Sequence, residues 1–338
     1  MVRASGAALL AVIGLTGCAP VASDTRPAFE PDAGEGALFV AGKFGNTLAR
    51  VDLESGEETA RVDSCANPHE LAVSPDSKHV ALACYGGTSI DIFRTGDLTH
   101  VASIDLGESA APHGIVWHRN GAIYATAEGR NAIFMIRDPL SDQRKAFEYG
   151  TGKEGSHMLA ISPDGQTAWT TDLRSKTVTR IDLLTKRAPF STNVGIEPEG
   201  IALSDDGKTL WVTARGSDMA YALDPQSLDR RKDVKVGRFP LRIALRPQGR
   251  IAITSDLADG ALSVIDTDTG AVIRTIPVSS PQEAERRQQV TIAWAPDGER
   301  IYVAETGTDT IAEVNYESGN VVRRFSAGDG GDGLAVVQ

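Results

Sequence analysis

The chain has 338 residues, with 45 acidic and 34 basic side chains and a formal net charge of −11 at pH 7. That excess of negative charge opposes condensation onto phosphate backbones, so nucleic acid is excluded as a partner. The length suffices for one large all-β domain.

The N-terminus reads MVRASGAALLAVIGLTGCAP: a basic residue, an apolar run too short to span a bilayer as a mature helix, and small residues at a cleavage point. This is the pattern of an export signal. Leu15-Thr16-Gly17-Cys18 resembles the bacterial lipobox, whose cysteine receives a diacylglycerol and becomes the new N-terminus. The resemblance implies that residues 1–17 are removed and that Cys18 anchors the protein in the cell envelope, facing the periplasm. A plain signal peptide with an unrelated cysteine is the competing reading. Ala19, where an Asp would retain such a lipoprotein at the inner membrane, implies the outer membrane. Residues 19–36, APVASDTRPAFEPDAGEG, are rich in Pro, Ala, Gly and Asp without an apolar period, so residues 18–36 read as a lipidated cysteine and flexible tether. Folded structure is expected from residue 37.

From there the chain repeats. Seven segments align: PHELAVSPDSKHVALACYGG from Pro68, PHGIVWHRNGAIYATAEGR from Pro112, SHMLAISPDGQTAWTTDLR from Ser156, PEGIALSDDGKTLWVTARG from Pro198, PLRIALRPQGRIAITSDLA from Pro240, QVTIAWAPDGERIYVAETG from Gln289, and GDGLAVVQ from Gly331. Their spacing lies mostly in the low forties of residues, with a longer insertion near Ser280–Arg287. Each unit reads as a strand, a Pro-Asp-Gly-type turn, a second strand, a polar loop, a third strand such as LSVID and a fourth such as VIRTIPV. A period of this size with four antiparallel strands per unit predicts a β-propeller, and the count is seven blades. The last unit stops after one strand. Its missing strands are ALFVAGK, NTLARVD and EETARVDS, so the C-terminal strand is expected to close the ring beside Ala37–Ser64.

These IALSPDG-like, LWVT-like and LSVIDTDTG-like units resemble the YVTN-repeat (YncE-like) propellers over essentially all of residues 37–338. The resemblance implies the all-β seven-bladed fold and leaves the activity open.

In a propeller the first strand of each blade lines the central channel. Aligning these strands on Ala72, Val116, Ala160, Ala202, Ala244, Ala293 and Ala335 places His69, His113, His157, Glu199, Leu241, Val290 and Asp332 at one channel mouth. Loops on the same rim add Lys43, Tyr85, Glu128, Arg130, Asp172, Arg174, Arg215, Asp256 and Glu305, and Arg242 follows Leu241. His79, His100 and His118 fall outside this register. Asp76, Asp164 and Asp297 belong to turns on the opposite rim, where carboxylates satisfy local backbone donors.

His69, His113, His157 and Glu199 therefore form the candidate catalytic core, with Arg130, Arg215, Arg242, Glu128 and Tyr85 facing whatever binds. Three imidazoles and a carboxylate suit Zn²⁺, Fe²⁺, Mn²⁺ or Cu²⁺, so the same four residues form a candidate metal site. Without metal, a histidine beside Glu70 or Glu199 serves as a general base and the arginines hold a carboxylate or an oxyanion. Ring bracing by the same polar side chains is the bland alternative. Cys65 and Cys84 share this rim in an oxidising compartment, where a disulfide is the default and a thiolate ligand the alternative. No CxxCH is present to attach haem covalently.

The Pro-His-Gly and Pro-Glu-Gly strand starts look like those of lactonase-type and streptogramin-lyase-type propellers. That resemblance implies a hydrolase or lyase acting on a small cyclic substrate, and the arginines at the mouth suit an anionic one; the protein itself is expected to be a monomer. The alternatives are a binding or assembly protein for a metal, tetrapyrrole or redox cofactor that serves a periplasmic partner, and a non-catalytic interaction platform.

Overall fold

The structure, a computed structural model, describes Met1 and residues 36–185 and 187–337. The expected signal segment, Cys18 and most of the tether lie outside the described residues. Among the described residues no helix is long and apolar enough to cross a membrane.

Seven four-stranded antiparallel sheets form the blades of a propeller. Blade 1 combines the strands Ala37–Gly42, Thr47–Asp52 and Glu58–Asp63 with the C-terminal strand Gly331–Val337, which pairs antiparallel with Ala37–Gly42. Ring closure thus uses strands from both ends, as the truncated final repeat requires. The inner strands of blades 2 to 7 are Pro68–Val73, Pro112–Trp117, Ser156–Ile161, Pro198–Leu203, Pro240–Leu245 and Gln289–Trp294. The insertion at residues 280–287 is a short helix, Pro281–Arg287, leading into blade 7.

Burial along each blade follows from stacking sheets face to face. Second strands such as Leu210–Ala214 are covered on both faces and read as unbroken small or apolar runs, whereas fourth strands such as Val272–Pro277 are largely exposed. Seven apolar clusters result, one at each blade junction. At the junction of blades 5 and 6, for instance, Trp211 packs with Ala252 and Ile265. A fully buried side chain of this size stabilises the ring by about 1.5–3 kcal/mol. The turns on the opposite rim behave as expected: Asp76 accepts from Ser74 Oγ at 2.6 Å, and Asp164 accepts from Ser162 Oγ at 2.5 Å.

Candidate functional site at the channel mouth

Each inner strand begins with an irregularity. In blades 2 to 7 the pairing with the second strand skips the second and third residues, for example between Pro198 and Ile201. The skipped residues include His69, His113, His157 and Glu199, which are released from the ladder toward the mouth. A bulge leaves backbone groups unpaired, and hydroxyls from the second strands take them up. Thr171 Oγ1 accepts from Met158 N at 3.2 Å and donates to the carbonyl of Glu199, in the next blade, at 2.8 Å. Thr126 does the same between Gly114 N and the His157 carbonyl, at 2.9 and 2.6 Å. Adjacent inner strands run so close that a Cβ on Gly200 would stand 2.7 Å from the Leu241 oxygen, and one on Gly333 would stand 2.3 Å from the His69 oxygen. Replacing Thr171 with Val is therefore expected to destabilise the propeller by about 1–3 kcal/mol in urea unfolding, because it strands a part-buried N–H and a buried carbonyl.

The side chains so positioned form a buried ionic chain across the mouth. Arg242 of blade 6 donates to Glu199 Oε1 of blade 5 at 2.7 Å and to Glu70 Oε1 of blade 2 at 2.6 Å. Glu199 also accepts from His157 Nε2 at 2.8 Å and pairs with Arg215 at 3.0 Å. His157 Nδ1 donates to Glu128 Oε2 at 3.1 Å, and Arg174 caps the chain on Glu128 Oε1 at 3.1 Å. His157 thus faces a carboxylate at each ring nitrogen and carries both protons. Burial pulls its proton affinity down, but Glu199 and Glu128 outweigh burial and push its pKa up to about 9. For Glu199, burial favours the neutral acid, yet His157, Arg242 and Arg215 hold the carboxyl well below the usual range. The His157 contribution to stability is fully present below its unfolded pKa of about 6.5 and is lost as pH rises through about 9. Urea midpoints should accordingly fall across that window in the wild type, and this slope should flatten in His157→Gln.

The neighbouring imidazoles behave oppositely. The His113 ring lies 3.8 Å from that of His157, centroid to centroid, and its buried Nδ1 has no hydrogen-bond partner. Burial, reinforced by the positive charge of His157, holds His113 neutral, well below the ordinary imidazole range. The His69 ring packs on Tyr85 and His113 at 4.5 and 4.8 Å. Its Nδ1 lies 3.0 Å from the carbonyl of Asn67. A carbonyl can only accept, so Nδ1 carries the hydrogen and Nε2 presents the lone pair. Burial lowers the His69 pKa, with Asp332, 3.9 Å from Nε2, opposing it. Asp332 is itself paired with Lys43 at 3.0 Å. Cys65 and Cys84 are joined by a disulfide, which braces the segment leading to Asn67 and His69.

A cleft of about 700 Å³ opens over these groups. Tyr85, His69, His113 and His157 line it together with Glu128, and Leu173, Arg174, Lys176, Ile196, Glu197 and Arg215 complete its boundary. The match to the family described as YNCE-like beta-propeller runs over residues 1–338. The chain belongs to that family. None of the curated proteins matches it. Among solved structures, it is similar to the catalytically inactive virginiamycin B lyase from Staphylococcus aureus with Quinupristin, at 19% identity and a TM-score of 0.64, covering 78% of this chain and 85% of that one. A Bacteroides uniformis protein proposed to be a 6-phosphogluconolactonase aligns at 15% identity and a TM-score of 0.72, over 90% of this chain and all of that one. Apo AztD from Citrobacter koseri aligns at 15% identity and a TM-score of 0.65, over 90% and 98%. At these identities the likeness is one of fold.

In this YNCE-like propeller, the residues expected at the mouth take up different places. His69, His113, His157, Tyr85, Glu128 and Arg215 line the cleft, and Glu199 and Arg242 lie buried behind it in the ionic chain. Arg130 is directed elsewhere: its guanidinium grips Glu148 of the outer strand Lys145–Gly150 at 2.8 and 3.0 Å. Asp172, Asp256 and Glu305 are fully buried inside their own blades. Asp172 accepts from Ser156, Thr170, Thr177 and Thr179, Asp256 from Thr254 and Ser263, and Glu305 from Arg287, Thr310 and Arg324.

As ligands for a divalent metal, His69, His113, His157 and Glu199 do not fit. His157 donates from both nitrogens, Glu199 is taken up by three cations, and the His113 and His157 ring centroids lie 3.8 Å apart at a 35° tilt. Among the described residues, the His, Cys, Asp and Glu ligand atoms that do gather within 4.8 Å of one another are those of Cys65, Cys84 and Asp91, and the two sulfurs are bonded together. Sequence reasoning passed over Leu173, Lys176, Ile196 and Glu197. For Lys176 a signal existed: it stands where the corresponding loops of other repeats carry Asn46, Asn131, Asp218, Gly260 and Asp309.

Proposed function

We propose that this mouth opens the ring of a small anionic cyclic ester by acid–base chemistry, with His69 as the base. The observation that carries the reading is the His69 geometry: the Asn67 carbonyl fixes the tautomer, so that a neutral Nε2 lone pair is available in a cleft bounded by cations. In the hydrolytic form, the oxygen of a water bonds to the ring carbonyl carbon as its proton passes to His69 Nε2. The bond from that carbon to the ring oxygen then breaks, and the departing oxygen takes the proton back from His69. Tyr85 stays protonated, because burial and the nearby Glu128 push its pKa up, and it offers a hydroxyl hydrogen to the developing charge. Arg174 and Arg215 favour an anionic substituent. His157 is a fixed cation that keeps Glu128 and Glu199 ionised. A virginiamycin B lyase and a protein proposed to be a 6-phosphogluconolactonase share this architecture, and a lyase or a lactonase is the kind of activity proposed here.

The test is a panel of γ- and δ-lactones, with and without a phosphate or carboxylate group, followed by mass spectrometry in buffer containing EDTA. A product heavier by one water supports hydrolysis, and a product of unchanged mass supports elimination. No turnover of any member by the wild type would sink the reading. We also infer that Cys18 carries the lipid anchor that holds the propeller at the envelope. Labelling with a radioactive fatty acid should mark the wild type and not Cys18→Ser.

A further inference from the structure

We propose that Lys176 is the anion-binding residue that selects the ligand of this cleft, at the lip formed with Leu173 and Arg174. Three observations converge on it. Of the cleft's cations, Arg174 is paired with Glu128, and Arg215 with Glu197 and Glu199. Among the described residues, the Lys176 ammonium has no hydrogen bond or ion pair, and its exposed side chain belongs to the cleft lining. Its backbone is left-handed, with φ +60°.

The backbone observation gives the other two their weight. The residue just before the third strand is left-handed in five other blades, at Asn46, Asn131, Asp218, Gly260 and Asp309. Asn, Asp and Gly tolerate that conformation, the first two by local hydrogen bonding of a short polar side chain and Gly by having no Cβ. Lysine has neither advantage, and an L-residue without one is held there at a cost. Blade 4 alone among these accepts that cost, and what it gains is an unpaired cation over a cleft whose two arginines are already engaged by carboxylates. An unpaired ammonium suits a compact anionic group, a phosphate or carboxylate, as a point charge. The ligand's ring then faces Tyr85, His69 and His113 while its anion sits at the lip.

This inference rests on the proposed ring-opening function for the identity of the ligand, but it is tested without turnover. Wild type, Lys176→Asn and Lys176→Arg would be titrated calorimetrically with inorganic phosphate and with 6-phosphogluconate, and their melting temperatures compared without ligand. The expected result is salt-sensitive binding of 6-phosphogluconate to the wild type, weakened about tenfold or more in Lys176→Asn and largely retained in Lys176→Arg. Lys176→Asn should melt higher than wild type, because asparagine suits the left-handed turn. Equal affinity in wild type and Lys176→Asn, or no binding to the wild type, would overturn the proposal, as would a lower melting temperature for Lys176→Asn. Lysine-dependent binding with no lactone turned over would leave this inference standing and remove the catalytic one. Turnover with a KM indifferent to Lys176→Asn would do the reverse.

Discussion

Arg242→Met should lower the stability of the propeller by about 3–5 kcal/mol at neutral pH, the cost of leaving a buried charge without its partner. The guanidinium is buried and spans the mouth from blade 6 to Glu199 of blade 5 and Glu70 of blade 2. Glu199 keeps His157 and Arg215 when Arg242 is removed. Glu70 does not, since among the described residues Arg242 is the one side chain that bonds it directly. The damage therefore concentrates on Glu70, and adding Glu70→Gln to Arg242→Met should restore much of the loss. A double-mutant cycle in urea measures this coupling directly. A single-variant loss below about 1 kcal/mol, the range of exposed ion pairs, would show that water reaches this network in solution.

The second large effect is kinetic. His69→Ala should reduce kcat on the best lactone by about 10²–10⁴-fold, the usual contribution of a positioned general base, while KM and the urea midpoint change little. His69 works as the neutral imidazole. Its pKa lies below the ordinary 6.5, so on the acid side the rate should fall below that value, as His69 is protonated. The alkaline limb should follow His157, near pH 9, as the cation that organises Glu128 and Glu199 is lost. His157→Gln should move the alkaline limb and leave the acid limb in place. A rate that survives His69→Ala would transfer the base role elsewhere or end the catalytic reading.

The mouth itself was readable because a propeller converts sequence period into spatial register. His69, His113, His157 and Glu199 are second residues of four successive inner strands, and the ring brings equivalent positions to one rim. Reading the loops was less secure, since one residue of offset reverses a side chain. Glu128, Tyr85 and Arg215 open their loops and face the cleft. Asp172 and Asp256 stand one place earlier, as the last residues of their strands, and turn into the blade toward hydroxyls. Arg130 stands two places later than Glu128 and reaches the outer strand instead. All of these are charged groups near one turn, and only the local backbone direction separates them.

The sequence by itself determined the seven-bladed ring, its closure by strands from both termini, and the ring of histidines at one mouth. Those follow from local alternation, turn residues and a repeat period, which act over a few residues at a time. Tertiary structure decided what the charges do. Glu70 and Arg242 are 172 positions apart, and no local rule pairs them, because their contact exists only once the ring is closed and water is excluded from the mouth. Burial holds His113 and His69 as neutral rings, whereas Glu199 and Glu128 overcome it at His157 and keep that ring a cation. Three imidazoles in equivalent sequence positions thus acquire different protonation states from the balance between burial and the charges that the closed ring places beside each one.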